Sequence, residues 1–370
     1  MNILQVSAVK NWGGGEGHIE SLCLELNKSY PEINSIILCV KNGLFHKKLE
    51  NSELKFHTAS LKINLDIRFA IKIGQLCKRY KIDIIHIHDP SAIALTIIAD
   101  KLYNLPPFIF SKKTSFPIKK KKLTLYKYNY PKIKKIICVS NETKRIAAES
   151  IINKEKLMTI YDGTSLENKS SKTNFLIRKK YKLDSYTKFI GVIGNHIRAK
   201  HYETLIQVVD TIINKKNRKD FFFIQIGNFT DRTENLVKSI EELKLNNHIK
   251  LTGFLSEASN FIPQFDALLI TSQSEGLPLV IYESFYHKTP VISTNVGGIS
   301  EIIEDNINGL LAPKHDYLTL AEKIIFLFEN PELIESFTQI SYNKLINNYT
   351  TSKMTANTVK AYQSILSNGH

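Results

Sequence analysis

No C-x-x-C pair occurs in this sequence, and its four cysteines, Cys23, Cys39, Cys77 and Cys138, stand far apart in apolar surroundings. That spacing argues against a zinc site or a disulfide frame and predicts reduced, packed thiols. No stretch approaches the roughly 20 apolar residues that a membrane span requires. The opening "MNILQVSAVK" also lacks the basic-then-apolar order of a signal peptide. A cytosolic chain is expected, at most peripheral on the inner face of the cytoplasmic membrane. Between Asp100 and Glu142 there is no carboxylate at all, while eleven lysines fall in that interval.

What is present bounds the class. At 370 residues the chain exceeds what one core usually organises, so two domains are expected. Hydrophobic residues make up 43% and charged residues 23%, as in an ordinary globular protein. The net charge of +15 is uneven: residues 1–165 hold 27 lysines and arginines against 14 carboxylates. Aromatics interleave the lysines in "SKKTSFPIKKKKLTLYKYNYPKIKK". A solvated helix accounts for such a segment, as does a surface that meets anionic lipid, where each lysine contributes about 1 kcal/mol. Nucleic acid is the third partner of that charge, but no recognition motif accompanies it, and none is expected to bind.

Short apolar runs alternate with helical patterns from the first residue: "NILQVS", "SIILCV", "DIIHIH", "PFIFS" and "KIICVS". Strands apolar throughout are buried on both faces, as in parallel α/β sheets. The pattern lapses over the polar residues 166–187 and restarts with "KFIGVIG", "FFFIQIG", "HIKLTGF", "DALLITS" and "TPVISTN". The predicted plan is a doubly wound domain over 1–165, a linker over 166–187 and a second such domain over 188–350. A C-terminal helix over 351–370 is expected to pack back on the first. Ligands of such sheets sit beyond the carboxyl ends of the strands.

Four strand ends carry chemistry. In "NWGGGEGHIESL", Gly13, Gly14 and Gly15 allow close backbone approach, and a helix starting near Glu16 turns its free N–H groups toward an anion. A tight turn without ligand is the plainer reading. In "DIIHIHDP", His86 and His88 share a face of one strand; one of them is expected to be packed, and His88 at the strand's end is the better candidate for facing a ligand, with a satisfied core histidine as the plainer reading; Asp89 points the other way, so a metal pair is disfavoured. In "IGVIGNHIRAKHYETLI", Arg198 and Lys200 sit at a glycine turn and suit a diphosphate leaving as an anion. A solvated helix start is the alternative there.

The fourth is "SQSEGLPLVIYESF". Pro278 fits a first helical turn, and Glu275 just before it stabilises the helix dipole. Glu283 has no such excuse, lying on an apolar face between Tyr282 and Phe285. A carboxylate in apolar company needs partners, and sugar or ribose hydroxyls serve.

With these residues in register, the sequence resembles the retaining glycosyltransferases of family 4, with the GT-B fold. That resemblance implies an α/β architecture of two doubly wound Rossmann-like domains facing across a cleft, the first holding the acceptor and the second the donor. Gly13, Gly14, Glu16 and His18 look like the family's G-G-x-E-x-H loop, His88 like its histidine, and Glu275 with Glu283 like its E-x7-E acids. "CVS" at 138–140, "VGGISEII" and "NGLL" follow in the expected order.

The resemblance implies His88 and Glu275 at the reacting sugar. It implies donor contacts from Gly14, Gly15, Arg198, Lys200, Gly253, Glu275, Gly276, Leu277, Pro278, Leu279 and Glu283, and acceptor-side contacts from Glu16, His18, Lys112 and Lys113. The expected reaction moves a hexose or N-acetylhexosamine from a nucleotide diphosphate sugar, UDP-linked, to a glycan or lipid-linked acceptor. No cofactor is expected, and the absence of a D-x-D string fits a metal-independent donor site. Asn195 stands where the family usually has arginine, leaving Arg198 as the nearest substitute. Rival readings are a nucleotide-sugar epimerase or hydrolase of the same fold, a non-catalytic partner subunit, and a basic nucleic-acid-binding protein.

Overall fold

The computed structural model describes residues 1–63, 65–166 and 176–367. They form two compact units, Met1–Ser165 with Thr350–His370, and Leu166–Tyr349.

The first unit runs β1 (Asn2–Val6), α1 (Gly14–Ser29), β2 (Asn34–Val40), α2 (Leu44–Leu49), β3 (Phe56–Ala59), α3 (Ile67–Tyr80), β4 (Ile84–Ile87) and α4 (Pro90–Tyr103). It continues with β5 (Phe108–Lys112), α5 (Lys122–Tyr128), β6 (Ile133–Cys138), α6 (Asn141–Ala148) and β7 (Leu157–Thr159). The sheet order is β3-β2-β1-β4-β5-β6-β7, and every pairing is parallel.

Alternation along each strand divides the core into two layers. Leu4, Val6, Ile85 and Ile87 face one side with Phe69, Ile73 and Ile93 of α3 and α4. Ile3, Ile84, Ile109 and Ile137 face the other, against Leu22 and Leu26 of α1. The chain's last helix completes that second layer with Met354, Val359, Tyr362 and Ile365.

The second unit runs α7 (Ile177–Lys180), β8 (Lys188–Ile193), α8 (Tyr202–Asp210), β9 (Phe221–Ile226), α9 (Thr233–Glu242), β10 (Ile249–Leu251) and β11 (Ala267–Ile270). Then follow α10 (Leu279–Tyr286), β12 (Val291–Thr294), α11 (Ile299–Ile302), β13 (Leu310–Ala312), α12 (Tyr317–Glu329) and α13 (Glu332–Asn348). The parallel sheet is ordered β10-β9-β8-β11-β12-β13. Helix α14 (Thr351–Ser367) belongs to the first unit.

Of the expected linker, residues 167–175 lie outside the described residues. The rest is not spacer: Ile177 is fully buried, and Arg178 Nη2 lies 2.6 Å from Asp266 Oδ2. These contacts tie α7 into the second unit. In each sheet the strand order reverses once, between β1 and β4 and between β8 and β11. Those two switch points are where an open α/β sheet leaves a crevice for a ligand.

Candidate active site

At the first switch point the loop after β1 meets the end of β4. Asp89 caps α4 by accepting from Ser91 N at 2.9 Å and Ala92 N at 2.8 Å. It also accepts from Ala8 N at 2.7 Å, so it fastens the two strand ends together rather than pointing idly away. Helix α1 begins at Gly14, with Gly13 extended at its N-cap. Glu16 is buried and accepts from Ser7 Oγ at 3.4 Å. His18 Nδ1 lies 2.6 Å from Asp162 Oδ1. Lys113 donates from Nζ to the Gly15 carbonyl at 2.9 Å, which brings the ammonium to the glycine loop.

Burial governs the titration of this cluster. It raises Glu16 above the usual carboxylate range, with the Lys113 charge opposing, and raises Asp89 likewise. Burial lowers His18 and holds His86 and His88 well below the ordinary imidazole value, both neutral at pH 7. Lys113 is pulled down to about 8 by burial, with Asp162 and Glu16 resisting.

His86 of β4 and His88 just after it are both buried, with rings 4.0 Å apart. His88 Nε2 lies 2.7 Å from Gln5 Oε1. Gln5 Nε2 donates in turn to the Tyr362 hydroxyl at 3.2 Å. That leaves the hydroxyl hydrogen for His86 Nδ1, 2.7 Å away, and His86 Nε2 then donates to Ser111 Oγ at 2.7 Å. Through this buried chain helix α14 sets the orientation of the residue nearest the switch point. Lys112 departs from its expected place: it is buried and donates to the carbonyls of Thr114 and Phe116, shaping its own loop rather than facing an acceptor.

At the second switch point two glycine turns touch. A Cβ on Gly227 would lie 1.9 Å from the Gly194 carbonyl oxygen, so only glycine fits. That oxygen accepts from Gln225 Nε2 at 2.6 Å and from the Tyr202 hydroxyl at 2.8 Å. Gly253, left-handed at φ 75°, accepts from Gly227 N at 3.0 Å. Asn195 is already engaged: its Oδ1 accepts from Asn228 N at 3.0 Å and Nδ2 at 3.1 Å.

The turn Arg198–Lys200 is gripped by the loop after β11. Gln273 donates from its backbone to Ala199 O at 2.8 Å and from Nε2 to Arg198 O at 2.6 Å. Thr271 Oγ1 donates to Lys200 O at 3.1 Å. Lys200 Nζ then reaches Glu275 Oε1 at 2.7 Å, and Ser272 Oγ donates to the same oxygen at 2.6 Å. Arg198 itself is exposed.

Pro278 is the N-cap of α10 rather than a residue of its first turn, and Leu279 opens the helix. Gly276 O accepts from Gly298 N at 2.9 Å, and Leu277 is buried. Glu283 is half-buried on α10. No group of three or more histidine, cysteine or acidic side chains suited to a metal ion occurs among the described residues.

Each sheet thus presents glycine turns, a lysine and carboxylates at the carboxyl ends where its strand order reverses. Two such doubly wound parallel sheets are the architecture of the GT-B glycosyltransferases, which move a sugar from a nucleotide-sugar. The comparison with known proteins agrees: residues 12–168 match the Glycosyltransferase Family 4 model and residues 174–344 the Glycosyl transferases group 1 model. The chain belongs to the glycosyltransferases of these two paired families.

It is 31% identical to an uncharacterized glycosyltransferase of Methanocaldococcus jannaschii over 290 residues, 75% of this chain and 74% of that one. It is 21% identical to the UDP-Gal:alpha-D-GlcNAc-diphosphoundecaprenol alpha-1,3-galactosyltransferase of Escherichia coli, over 85% of this chain and 84% of that one. The solved structure of HepE from Anabaena in complex with UDP-glucose matches with a TM-score of 0.86 at 16% identity, over 98% of this chain and 100% of that one.

Proposed function

We propose that the protein transfers a hexose or N-acetylhexosamine from a UDP-sugar to a glycan or lipid-linked acceptor with retention at the anomeric carbon. The observation that carries this reading is the Lys200–Glu275 pair at 2.7 Å, held at a switch point beside the start of α10. A diphosphate entering there draws the Lys200 ammonium toward itself, which frees Glu275 to accept from sugar hydroxyls. Arg198, exposed on the same turn, adds a second cation where Asn195 offers none. The first free N–H groups of α10 add a positive dipole end.

In the transfer, the bond between the anomeric carbon and the β-phosphate oxygen breaks and its electron pair stays on that oxygen. The acceptor hydroxyl oxygen forms the new bond on the same face, and its proton passes to the departing phosphate oxygen. Lys200 and Arg198 stabilise the charge that develops there, without a metal in the proposed scheme. Glu283 holds the ribose hydroxyls, His88 the sugar, and Glu16, His18 and Lys113 the acceptor side.

The UDP-linked donor in the name of the E. coli relative and the UDP-glucose complex of HepE support the choice of base. The diphosphoundecaprenol in the same name supports a lipid-linked acceptor. A panel of UDP-sugars with the product anomer read by NMR tests the reading. An inverted product overturns retention, and donor turnover without any acceptor shifts the reading to a hydrolase or epimerase. Glu283→Gln is expected to weaken UDP binding by about tenfold, the worth of one charge-assisted hydrogen bond; calorimetry showing unchanged affinity removes its ribose role.

A further inference from the structure

Strand β1 carries one fully buried polar side chain, Gln5, on the face that Ile3 and Ile84 line against α1 and α14. Its register partner on β4 is His86, and His88 follows two residues on, just beyond the strand's end. A buried amide costs stability unless its polar atoms are bonded, and here they all are. Nε2 donates to the Tyr362 hydroxyl at 3.2 Å and to Ser35 Oγ at 3.3 Å, so both of its hydrogens point at hydroxyl oxygens. Oε1 is left for His88 Nε2 at 2.7 Å. An amide oxygen only accepts, so His88 carries its hydrogen on Nε2.

The other ring nitrogen is then defined as well. Burial above all keeps this imidazole uncharged at pH 7, so Nδ1 holds a lone pair and no hydrogen. His88 is only 6% exposed, and Nδ1 has no hydrogen-bond partner among the described residues. An orphaned buried acceptor costs about 1–3 kcal/mol. A hydrogen brought from outside the chain removes that cost.

We propose that Gln5 is a positioning residue for the transfer: by holding the Nε2 hydrogen it makes His88 a fixed acceptor, to which the sugar must present a hydroxyl. This rests on the reading that His88 faces the sugar, and adds to it a demand on the sugar's chemistry. A hydroxyl donates to Nδ1, whereas an ionised carboxylate or a deoxygenated carbon has no hydrogen to give. A site built to bond one hydroxyl rejects its absence strongly, because the site's own polar group is then stranded. The buried chain has a direction, and that direction is what reaches the substrate. In the reverse sense Ser111 would donate to His86, His86 to Tyr362, Tyr362 to a turned Gln5 amide and that amide to His88 Nε2. Nδ1 would then carry the hydrogen and select an acceptor group instead.

Two measurements test this. Nitrogen NMR of the ligand-free full chain with isotope-labelled histidine, assigned by the signals lost in His88→Ala, should show a bare Nδ1 and a protonated Nε2 near pH 7. A hydrogen on Nδ1 overturns the proposal whatever the enzyme turns over, so its failure is told apart from failure of the transfer reading. The second measurement uses analogues of whichever UDP-sugar is turned over, each lacking one sugar hydroxyl. At one position the loss should lower wild-type kcat/KM at least about tenfold. Gln5→Leu should lower kcat/KM for the complete sugar by about the same factor and leave that one analogue unaffected, while UDP itself binds as tightly as before. A merely structural Gln5 would lower turnover of every analogue alike and keep their ratios, which overturns the proposal. Should Gln5→Leu fail to fold, a wild-type enzyme indifferent to every missing hydroxyl overturns it as well.

Discussion

Lys113 shows how one buried charge links the first switch point to pH. Burial pulls its ammonium down to about 8 from the ordinary 10.5, so the charge is present below that pH and lost above it. Under the proposed acceptor role, rate against pH should fall through a limb near 8. Lys113→Arg, charged throughout, should move that limb beyond the accessible range. A wild-type profile flat through that pH in initial-rate measurements would remove Lys113 from the acceptor side. Stability runs the other way. The unfolded chain binds this proton more tightly, so the contribution of Lys113 to stability rises as pH goes from about 8 to about 10.5. The two effects therefore separate.

Tyr362 gives a second residue-scale expectation. Tyr362→Phe keeps the shape but strands the buried His86 Nδ1 and leaves Gln5 Nε2 only its bond to Ser35 Oγ, at a cost of roughly 1–3 kcal/mol, read as a lowered unfolding midpoint. Glu16, His18, His88, Lys200 and Glu275 stood out in the sequence because each sits in a short pattern near a strand end, whereas Lys113 entered only with the resemblance. Asp162, Gln5, Gln225 and Tyr362 escaped both. Their partners are brought by the fold from as far as 357 positions away in the case of Gln5 and Tyr362, and no local pattern carries that.

Among the elements, the turns after β8 and β9 depend most sharply on one residue type. The Gly227→Ala Cβ meets the Gly194 carbonyl oxygen, so the turns must part, at a cost typical of overpacking, about 1–3 kcal/mol. Since Arg198 and Lys200 hang from the first of these turns, UDP affinity should fall together with the unfolding midpoint. A stable variant with intact affinity would show that the turns tolerate separation. The strands rich in Ile, Val and Phe were legible because burial on both faces leaves an unbroken apolar run, as in "FFFIQI".

Three strands were not. β3 is half-buried at a sheet edge and reads "FHTA", while β7 and β13 span only three residues each. Runs so short or polar lack the period that marks a strand. The helix before β8 was read as linker for the same reason, since only Ile177 of its four residues is buried. The thiols bore out the opposite inference: all four cysteines are free and buried, and burial pushes each up to about 12.

For the whole molecule, the chain's last helix completes a unit begun 350 residues earlier. A protein ending at Thr350 would uncover Ile3, Leu22, Leu26 and Ile137 and lose burial of Met354, Val359, Tyr362 and Ile365. At about 1.5–3 kcal/mol for each large side chain, the loss rivals the stability of an entire domain. Such a truncation should leave the first unit without protected amides in hydrogen exchange while the second unit keeps its own. Two-domain organisation was readable from length and from the restart of the strand pattern. The return of the last helix to the first domain was expected without any local pattern to carry it, since α14 has no glycine or strand pattern to announce its destination.

The crossing itself is tight. Thr164 and Thr350 form a bridge, Thr351 N donates to Thr164 O at 3.1 Å, and a Cβ on Gly163 would strike the Thr350 carbonyl. Departure and return of the polypeptide are therefore neighbours, which makes the second unit topologically a guest inserted into a host. Splicing residue 165 to residue 350 through a few glycines should close the host on itself, its sheet, buried histidines and final helix complete without the guest.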